Sequence, residues 1–327
     1  MTASRSAFLT GASGFIGTNL VSALLGSGWR VINFDSVPPL NPAQRPNHRH
    51  GSILDAAMVL QALTDVQPDV VVHLAARTDC RDNMTIDDYV ANTEGTRHLL
   101  EAIRMTASIK RAIITSSQYV CGPERLPTSD TDYFPNTAYG ASKVITEQLT
   151  RAANLSCSWV LIRPVNTWGP YHMRYAREFW EIVRRGWYFH PNLRSPVRCY
   201  GHVGNVIWQI QRLLDLPDAS VRGKVFYVGD RPAPIDRWVF GFHRAIRGVE
   251  PRVLPAAVMR CFALLGDAIG AVTGRPFFFT SSRLRSMTQD YLVDNAETFR
   301  VLGEPPWTLE QGIRQTVDWL KREVWKS

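Results

Sequence analysis

A tyrosine and a lysine four residues apart are the side chains of this chain best suited to chemistry. Tyr139 and Lys143 are the first and last residues of the segment Tyr139-Gly-Ala-Ser-Lys143. On a helix this spacing places both side chains on one face. A lysine ammonium beside a tyrosine favours the phenolate and lowers a pKa that is normally about 10. The pair therefore predicts a group that exchanges a proton with a substrate hydroxyl near neutral pH, and a serine, Ser117, lies 22 residues before it.

A glycine-rich loop near the start of the chain predicts a phosphate-binding turn. Thr10-Gly11-Ala-Ser-Gly14-Phe-Ile-Gly17 follows a predicted strand and opens a predicted helix. Gly11 suits the tight turn, Gly14 lets the backbone approach a pyrophosphate, and Gly17 permits close packing of helix on strand. The N–H groups and the positive dipole of the helix start then face the phosphates.

An acidic residue follows at the spacing that a dinucleotide site requires. Asp35 ends the second predicted strand, 18 residues after Gly17. A carboxylate there accepts hydrogen bonds from the adenosine ribose hydroxyls and repels a 2′-phosphate. We therefore expect the cofactor to be NAD rather than NADP.

The elements that must position these side chains alternate along the first half of the chain. A helix is predicted over 15–25, and apolar runs of strand length occupy 7–10, 30–35, 70–75, 111–116 and 159–163. The pattern predicts an α/β fold, a Rossmann-type doubly wound parallel sheet with a smaller C-terminal substrate-binding region. We expect an NAD-binding domain over 1–165 and a substrate-binding region over 166–327, with some strands returning to the main sheet.

The later part of the chain is less regular. A further strand is predicted over 225–228, and the last helix begins after Thr308 with Gln311 in a capping-box arrangement. The apolar segment Pro255–Gly274 carries Arg260 and Asp267 and is too interrupted for a membrane span. We expect it to form a buried or lid helix, with contact with a membrane surface as the alternative.

Composition and charge narrow the class of protein. The chain has 327 residues, 45% hydrophobic and 20% charged, with a formal net charge of +8. Without a lysine/arginine block or nucleic-acid motif, this charge favours an anionic small ligand, or solubility alone, over nucleic acid. Five widely spaced cysteines predict reduced thiols in a cytoplasmic protein without a zinc site, and because a strand is predicted within a few residues of the N-terminus we expect no signal peptide.

Several motifs in order make the chain resemble the extended short-chain dehydrogenase/reductases, and within them the NAD-dependent nucleotide-sugar epimerase/dehydratase family. Besides the glycine loop, Asp35 and Tyr139-x-x-x-Lys143, the motifs are His73-Leu-Ala-Ala76, Asn92-x-x-Gly95-Thr96, Thr115-Ser-Ser117 and Arg163-Pro-Val-Asn-Thr-Trp-Gly-Pro170. The resemblance implies that Tyr139 is the acid/base and that Lys143 tunes it and binds the nicotinamide ribose. It implies that Ser117 orients the reacting sugar oxygen.

The same resemblance implies contacts with cofactor and substrate. The implied cofactor-binding residues are Gly11, Ser13, Gly14, Phe15, Ile16, Gly17, Asp35, Ser52, Ile53, Leu74, Ala75, Ala76, Asn92, Thr115, Tyr139, Lys143, Pro164 and Val165. Asn92 has the alternative role of a structural residue at a helix start. The implied substrate-binding residues are Ser117, Asn166, Arg198 and Arg283, because Arg198-Cys-Tyr-Gly-His202-Val is similar to a segment whose arginine pairs with the nucleotide diphosphate. Arg283 and Arg285 lie near where a second such arginine is found.

Departures from the family pattern limit the reaction. Ser52 stands where the family often has an aspartate that holds the adenine amine. Gln118 and Tyr119 stand where nucleotide-sugar 4,6-dehydratases carry an acidic pair. Elimination of water therefore lacks its acid, which argues against a dehydratase.

These residues together predict an NAD-dependent nucleotide-sugar epimerase that works through a transient 4-keto sugar, with NAD as hydride carrier. The alternatives are a net oxidoreductase, either a 4-keto-sugar reductase or a 3β-hydroxysteroid-type dehydrogenase, and a non-catalytic NAD-binding sensor or scaffold. The apolar segment Pro255–Gly274 and the stretch from Thr280 to Asp294 also resemble the steroid-dehydrogenase branch. The resemblance further implies a homodimer through helices at about 92–105 and 139–153.

Overall fold

In the computed structural model, which describes residues 4–80, 83–274 and 279–326, the chain forms two compact units. The first comprises Met1–Tyr171, Gly201–Asp230 and Val293–Trp307, and the second His172–Tyr200, Arg231–Leu292 and Thr308–Ser327. Two segments from the second half of the sequence therefore belong to the first unit. The assignment of cofactor binding to 1–165 and of substrate binding to 166–327 stays a prediction.

The strands are short. They are β1 Ser6–Thr10, β2 Arg30–Asp35, β3 His48–His50, β4 Val70–His73, β5 Arg111–Thr115, β6 Ser158–Pro164, β7 Asn166–Trp168, β8 Phe189–Asn192, β9 Val197–Arg198, β10 Tyr200–His202, β11 Val225–Val228, β12 Ala233–Pro234 and β13 Arg252–Pro255.

The α-helices vary from one turn to five. They are α1 Phe15–Gly26, α2 Ala56–Val66, α3 Val90–Arg104, α4 Ala138–Ala152, α5 Met173–Arg177, α6 Phe179–Arg184, α7 Val203–Asp215, α8 Asp218–Val221, α9 Ile235–Arg247, α10 Ala256–Thr273, α11 Ser281–Ser286, α12 Ala296–Leu302 and α13 Leu309–Trp319.

A seven-stranded parallel sheet organises the first unit. Its strand order is β11-β6-β5-β4-β1-β2-β3, and the residue Thr10 of β1 pairs with Phe34 on one side and His73 on the other. The order reverses between β1 and β4, and in doubly wound sheets the crevice at this point binds dinucleotides. The predicted Rossmann-type parallel sheet is confirmed.

The two faces of the sheet are both buried, which explains the unbroken apolar runs in the sequence. Ala7 and Leu9 pack with α1 and α7 on one face, whereas Phe8 packs with α2 and α3 on the other. Each strand thus contributes alternate side chains to two hydrophobic cores. Burial of each large side chain of this kind stabilises the fold by about 1.5–3 kcal/mol.

The element bounds agree closely with the sequence pattern. The strand predicted over 30–35 is β2 without change, and α13 begins after Thr308 with the predicted capping box to Gln311. β4 ends at His73, two residues before the predicted end, although the Leu74 N–H still donates to the Thr10 carbonyl of β1 at 3.0 Å.

The expectation of a buried or lid helix at 255–274 is wrong as to burial, and its role as a lid stays a prediction. The segment forms α10, but only 17% of it is buried, and Met259, Ala263 and Gly266 form its only buried stripe among the described residues. An all-round apolar helix predicts burial from sequence, but here the second unit covers only one narrow side with Leu284 and its neighbours. By length and composition α10 is the one helix in the described ranges that could cross a membrane.

Candidate active site

Helix α4 carries both residues of the predicted proton-transfer pair. Its start is fixed by Thr137, whose hydroxyl accepts a hydrogen bond from the Gly140 N–H at 3.0 Å. Tyr139 lies in the first turn and Lys143 one turn later, and both are buried. Gly140 lets the helix approach closely, because a Cβ at this position would lie 2.1 Å from the Tyr119 carbonyl oxygen.

Ser117 lies beside Tyr139, as the sequence predicted. The chain leaves β5 at Thr115 and turns at Ser117, whose hydroxyl accepts from the Tyr119 N–H at 3.2 Å. The side chain of Ser117 also hydrogen-bonds Tyr139. This hydrogen bond stabilises the phenolate relative to the phenol and acts to lower the pKa of Tyr139.

The expected lowering of the tyrosine pKa by lysine is wrong for the protein by itself. Burial raises the pKa of Tyr139 far above its ordinary value, and this effect outweighs the hydrogen bond from Ser117. Desolvation penalises the phenolate because it is the charged form. Tyr139 therefore carries its proton at neutral pH until ligands change its surroundings.

The lysine has a partner within the protein that was not predicted, and its contact with the nicotinamide ribose stays a prediction. Lys143 Nζ donates to the backbone carbonyl of Thr115 at 2.9 Å, and burial lowers the pKa of Lys143 to about 8. The neighbouring His73 stays neutral, because burial and the Lys143 charge lower the pKa of His73 to about 3. Lys143 thus joins the end of β5 to α4. With a pKa of about 8, it loses its positive charge at a pH only slightly above neutral.

A buried ion pair one turn further along α4 was not predicted. Glu147 accepts from Arg163 Nε at 2.8 Å and Nη2 at 2.9 Å, and also from the hydroxyls of Ser116 and Tyr133. Both charged side chains are at most 1% exposed. The i, i+4, i+8 spacing of Tyr139, Lys143 and Glu147 was the available signal, since it places all three on one helix face. Glu147 therefore ties the reactive face of α4 to the ends of β5 and β6.

Two aromatic rings also flank Tyr139 and were not predicted. The rings of Tyr89 and Tyr119 each lie 5.9 Å from the Tyr139 ring, centroid to centroid. The Tyr89 hydroxyl is engaged with the Asp79 carbonyl at 2.6 Å, which fixes its ring. The phenol of Tyr139 thus lies between two apolar faces, consistent with its desolvation.

The glycine loop has the geometry that its spacing predicted. Gly11 adopts a positive φ of +67°, and a Cβ there would lie 2.4 Å from the Ala75 nitrogen. A Cβ on Gly17 would lie 2.3 Å from Ala12 Cα. A Cβ on Gly14 would meet only the Gly11 carbonyl oxygen, at 3.2 Å. Two glycines are therefore required by close packing, whereas Gly14 borders open space.

Asp35 anchors this loop. One carboxylate oxygen accepts from the Ser13 N–H at 3.0 Å and the other from the Val37 N–H at 3.1 Å. Ser13 is held a second time, because its hydroxyl donates to the Val37 carbonyl. Each oxygen of Asp35 keeps further lone pairs for the hydroxyls of a ribose.

These residues fit NAD. No described side chain caps the start of α1, so its N–H groups can receive phosphate oxygens beside Gly14. Asp35 is half-buried at the end of β2, where a ribose would lie. Thr115 Oγ1 is buried without a partner in the described part of the chain, next to the carbonyl that Lys143 binds.

The other residues implied for the cofactor have mixed surroundings. Leu74, Ala75 and Ala76 follow β4 and are half-buried beside the glycine loop. The Asn92 amide is fully buried and bonded to both backbone groups of Arg77 and to Ser142, which matches its alternative structural role. Its contact with the cofactor stays a prediction, as do those of Phe15, Ile16, Ser52, Ile53, Pro164 and Val165.

The residues implied for the substrate are divided between the units. Asn166 belongs to β7 in the first unit, whereas Arg198 and Arg283 belong to the second. Arg198 Nε donates to the Gln289 carbonyl at 3.0 Å. Arg283 pairs with Glu178 at 3.1 Å on an exposed surface. Their binding of a diphosphate stays a prediction.

A model of a known protein family matches the part of the chain that contains these residues. Residues 7–229 match the model of the NAD dependent epimerase/dehydratase family, and this stretch contains the glycine loop, Asp35, Ser117, Tyr139 and Lys143. The chain belongs to that family. It is therefore an enzyme that uses NAD, as the sequence predicted.

Individual members of the family differ in their chemistry. The 3 beta-hydroxysteroid dehydrogenase/Delta 5-->4-isomerase of Mycobacterium tuberculosis is 30% identical over 71% of this chain, an alignment that spans 66% of that relative's own length. The dTDP-glucose 4,6-dehydratase of Xanthomonas campestris is 28% identical over 97% of this chain and 93% of the relative. The crystal structure of UDP-glucose 4-epimerase from Thermotoga maritima, with UDP-glucose, superimposes with a TM-score of 0.74 at 22% identity, over 97% of this chain and 99% of that one. That likeness shows the fold.

Proposed function

We propose that the protein is an NAD-dependent nucleotide-sugar epimerase that works through a transient 4-keto sugar. The observation that carries the proposal is the Ser117–Tyr139–Lys143 arrangement next to Gln118 and Tyr119. The arrangement provides a group that transfers a proton when an alcohol and a ketone are interconverted. It has no carboxylate at the two positions where a dehydratase has its acids.

The alignment with the dehydratase supports a nucleotide sugar as the substrate class. The relative that acts on dTDP-glucose matches 97% of this chain, whereas the steroid dehydrogenase matches 71%. Similarity over the whole length includes the segments outside the cofactor-binding fold, which distinguish substrates in such enzymes. With dehydration disfavoured by Gln118 and Tyr119, inversion of a hydroxyl-bearing carbon is the reaction that remains.

Each residue of the site has a task in this reaction. Tyr139 takes the proton from the sugar C4 hydroxyl and later returns it, while the Ser117 hydroxyl holds the same oxygen. Lys143 holds the Thr115 carbonyl one turn after Tyr139 and in this proposal binds the nicotinamide ribose. NAD, when bound, accepts and returns the hydride, and Gly11, Gly14, Asp35 and the start of α1 hold it in place. Tyr89 and Tyr119 exclude water from the reacting phenol.

A net dehydrogenase acting on a 3β-hydroxysteroid is the second candidate. The observation that favours it is the 30% identity with the mycobacterial enzyme, the higher of the two identities. The same serine, tyrosine and lysine serve both reactions, so the site alone does not choose between them.

The experiment that tests the proposal follows the substrate and the cofactor together. The purified protein is denatured and released NAD⁺ or NADH is identified, and intact protein is then incubated with UDP-, GDP- and dTDP-sugars and followed by NMR. We expect inversion at one carbon without net change of cofactor. Stoichiometric NADH formation with a sugar or with a 3β-hydroxysteroid would contradict the epimerase proposal.

A matched variant separates an enzyme from a cofactor-binding module. Tyr139→Phe removes the proton-transfer group and keeps the ring, so we expect turnover to fall about 100-fold or more. Because Tyr139 takes no part in holding the glycine loop, bound NAD should still be released on denaturation. Full turnover by this variant would show that Tyr139 is not the acid/base.

Two broader expectations belong to the same proposal. We propose a cytoplasmic homodimer that forms through α3 and α4, in line with the family resemblance. Light scattering on the purified protein tests it, because a mass of about twice the chain is expected and a monomer would contradict it.

A further inference from the structure

Helix α10 in the second unit presents a long apolar surface that the unit does not cover. Phe262, Leu264, Leu265 and Val272 are 50–87% exposed, and Val258 and Ile269 are also exposed. Soluble monomers rarely expose apolar surface that is continuous over about four helical turns, and larger exposed patches mark sites of contact with a partner or a membrane.

The distribution of side chains around α10 describes that occupant. At about 100° per residue, the exposed apolar side chains cover an arc of about 160°. The two charged residues of the helix, Arg260 and Asp267, both lie outside this arc, between its edge and the buried stripe formed by Met259 and Ala263. The Asp267 carboxylate faces the protein, where it accepts from the Ser281 N–H at 3.2 Å. The arc is thus apolar across its whole width.

Such a width favours a lipid bilayer over a second protein helix. Packing against one helix requires only a narrow stripe with a spacing of three and four residues. A helix that lies in the interface of a bilayer requires a broad apolar face and charges at its edges. Because Met259 and Ala263 pack against Leu284 in the second unit, the first half of α10 is held against that unit, which favours a helix that lies along a bilayer surface over one that crosses it.

The charge of the second unit matches an anionic lipid surface. This unit contains 19 lysines and arginines and nine carboxylates, a net charge of +10, whereas the first unit contains 18 and 20, a net charge of −2. The whole positive charge of the chain therefore belongs to the unit that exposes α10. Anionic headgroups attract such a surface within about a Debye length.

A cavity at the edge of the arc supports the same partner. It has a volume of about 350 Å³ and is lined by Arg260 and Arg285 together with apolar side chains that include Leu264 and Leu284. Arg283 nearby has a carboxylate partner in Glu178, but neither cavity arginine has one in the described ranges. Two guanidinium groups beside apolar walls suit a phosphate that carries an acyl chain.

We propose that α10 docks the protein on an anionic phospholipid membrane, with its apolar arc among the acyl chains and with Arg260 and Arg285 at the level of the phosphates. The proposal is independent of which reaction the first unit catalyses. The proposal gives α10 the role of a reversible membrane anchor, although its sequence resembles that of a buried helix.

The test uses the full-length protein and vesicles of phosphatidylcholine with or without phosphatidylglycerol. We expect sedimentation with the mixed vesicles, weaker binding at high salt, and little binding to phosphatidylcholine alone. The variant Phe262→Ser/Leu265→Ser/Val272→Ser should bind about tenfold more weakly or worse. Leu126→Ser is the control, because Leu126 is an exposed apolar side chain of the first unit that lies outside α10 and outside the helices proposed for the dimer, and its loss should leave vesicle binding unchanged.

A second measurement leaves the apolar side chains of the arc unsubstituted and places a probe on a cysteine among them. Cys261 is exposed within the arc, and of the other cysteines only Cys80 is exposed. In a Cys80→Ser background, a polarity-sensitive dye on Cys261 should shift to the blue when mixed vesicles are added. An unshifted dye, equal binding by the triple variant, or a dimer that the triple variant converts to monomer would each overturn the proposal.

Discussion

Helices α4 and α10 depart in opposite ways from the rule that polar side chains face water and apolar side chains face the core. α4 buries a lysine, a glutamate, a serine and two threonines beside the predicted catalytic tyrosine. α10 exposes most of its large apolar side chains. In our proposals each departure marks a surface that meets a ligand: a cofactor and substrate at α4, and a lipid surface at α10.

The two departures have different energetic consequences. The buried groups of α4 are desolvated, so each depends on a specific partner such as the Thr115 carbonyl or the Arg163 guanidinium. The exposed groups of α10 lose nothing when they are changed in the isolated protein, because water already surrounds them. Substitutions of the buried polar groups of α4 should therefore affect the fold itself, and substitutions on the exposed arc of α10 should affect only association.

The largest expected effect is on α4, at its ion pair. Glu147→Ala leaves the Arg163 charge buried without its carboxylate partner, with only the Tyr227 hydroxyl and the Asp130 carbonyl still bonded to it, and we expect a loss of about 3–5 kcal/mol in the free energy of unfolding. Urea unfolding measures it, with Gln148→Ala, an exposed residue of the same helix, as control. Equal stability of the two variants would show that the ion pair is not an important contact.

A smaller and opposite effect is expected one turn earlier. Because burial lowers the pKa of Lys143 from 10.5 to about 8, the folded state carries the cost of a buried charge below pH 8. Lys143→Met removes this cost and should stabilise the protein at pH 7 by about 1–3 kcal/mol while activity falls.

The stabilisation expected for Lys143→Met should depend on pH. Between pH 8 and 10.5 the unfolded chain binds more protons than the folded one, so the wild-type protein gains stability as pH rises. The advantage of Lys143→Met should therefore shrink over this range. Urea unfolding at pH 7 and pH 10 measures it, and a constant difference would contradict the titration of Lys143.

The hydroxyl of Ser117 should shift a pH profile. Burial raises the pKa of Tyr139, and the hydrogen bond from Ser117 opposes part of that rise. Ser117→Ala should therefore move the rising limb of kcat/KM to higher pH. Ser116→Ala is the matched control, because Ser116 bonds Glu147 at 2.6 Å. It should reduce stability and leave the limb in place, and the same shift in both variants would assign the effect to packing.

The smallest expected effect is on α10. Leu265→Ser should change the free energy of unfolding by less than about 0.5 kcal/mol, since Leu265 is exposed. Met259→Ala, on the buried stripe of the same helix, should cost about 2 kcal/mol or more. Thermal or urea unfolding of both variants measures the contrast, and a large loss in Leu265→Ser would show that the apolar arc is covered in the isolated protein.

Much of the fold could be predicted because its signals are local. The apolar runs of β1, β2 and β11, the capping box at Thr308 and the glycine spacing each depend on residues within a few positions of one another. The positive φ of Gly11 and the close approach at Gly17 follow from turn and packing geometry that only glycine allows. Local periodicity and backbone conformation follow from residue type, so sequence indicates them directly.

Less of the site could be predicted because its properties depend on solvation and on distant partners. The Thr115 carbonyl that holds Lys143 and the Arg163 guanidinium that holds Glu147 come from strands that are separate from α4 in sequence. The direction of the Tyr139 pKa shift was predicted wrongly because spacing reveals a neighbour but not the loss of water. The exposure of α10 was also predicted wrongly, since an apolar helix indicates that something covers it but not what.

The sequence by itself determined which residues could bind NAD and move a proton: the glycine loop, Asp35, Ser117, Tyr139 and Lys143. It also determined the parallel sheet that carries them, because local pattern and residue type are sufficient for both. Only the tertiary structure decided which charges are buried, which partners hold them and which apolar face of α10 remains open. These properties depend on how much water each side chain loses, and that is set by surfaces brought together from distant parts of the chain.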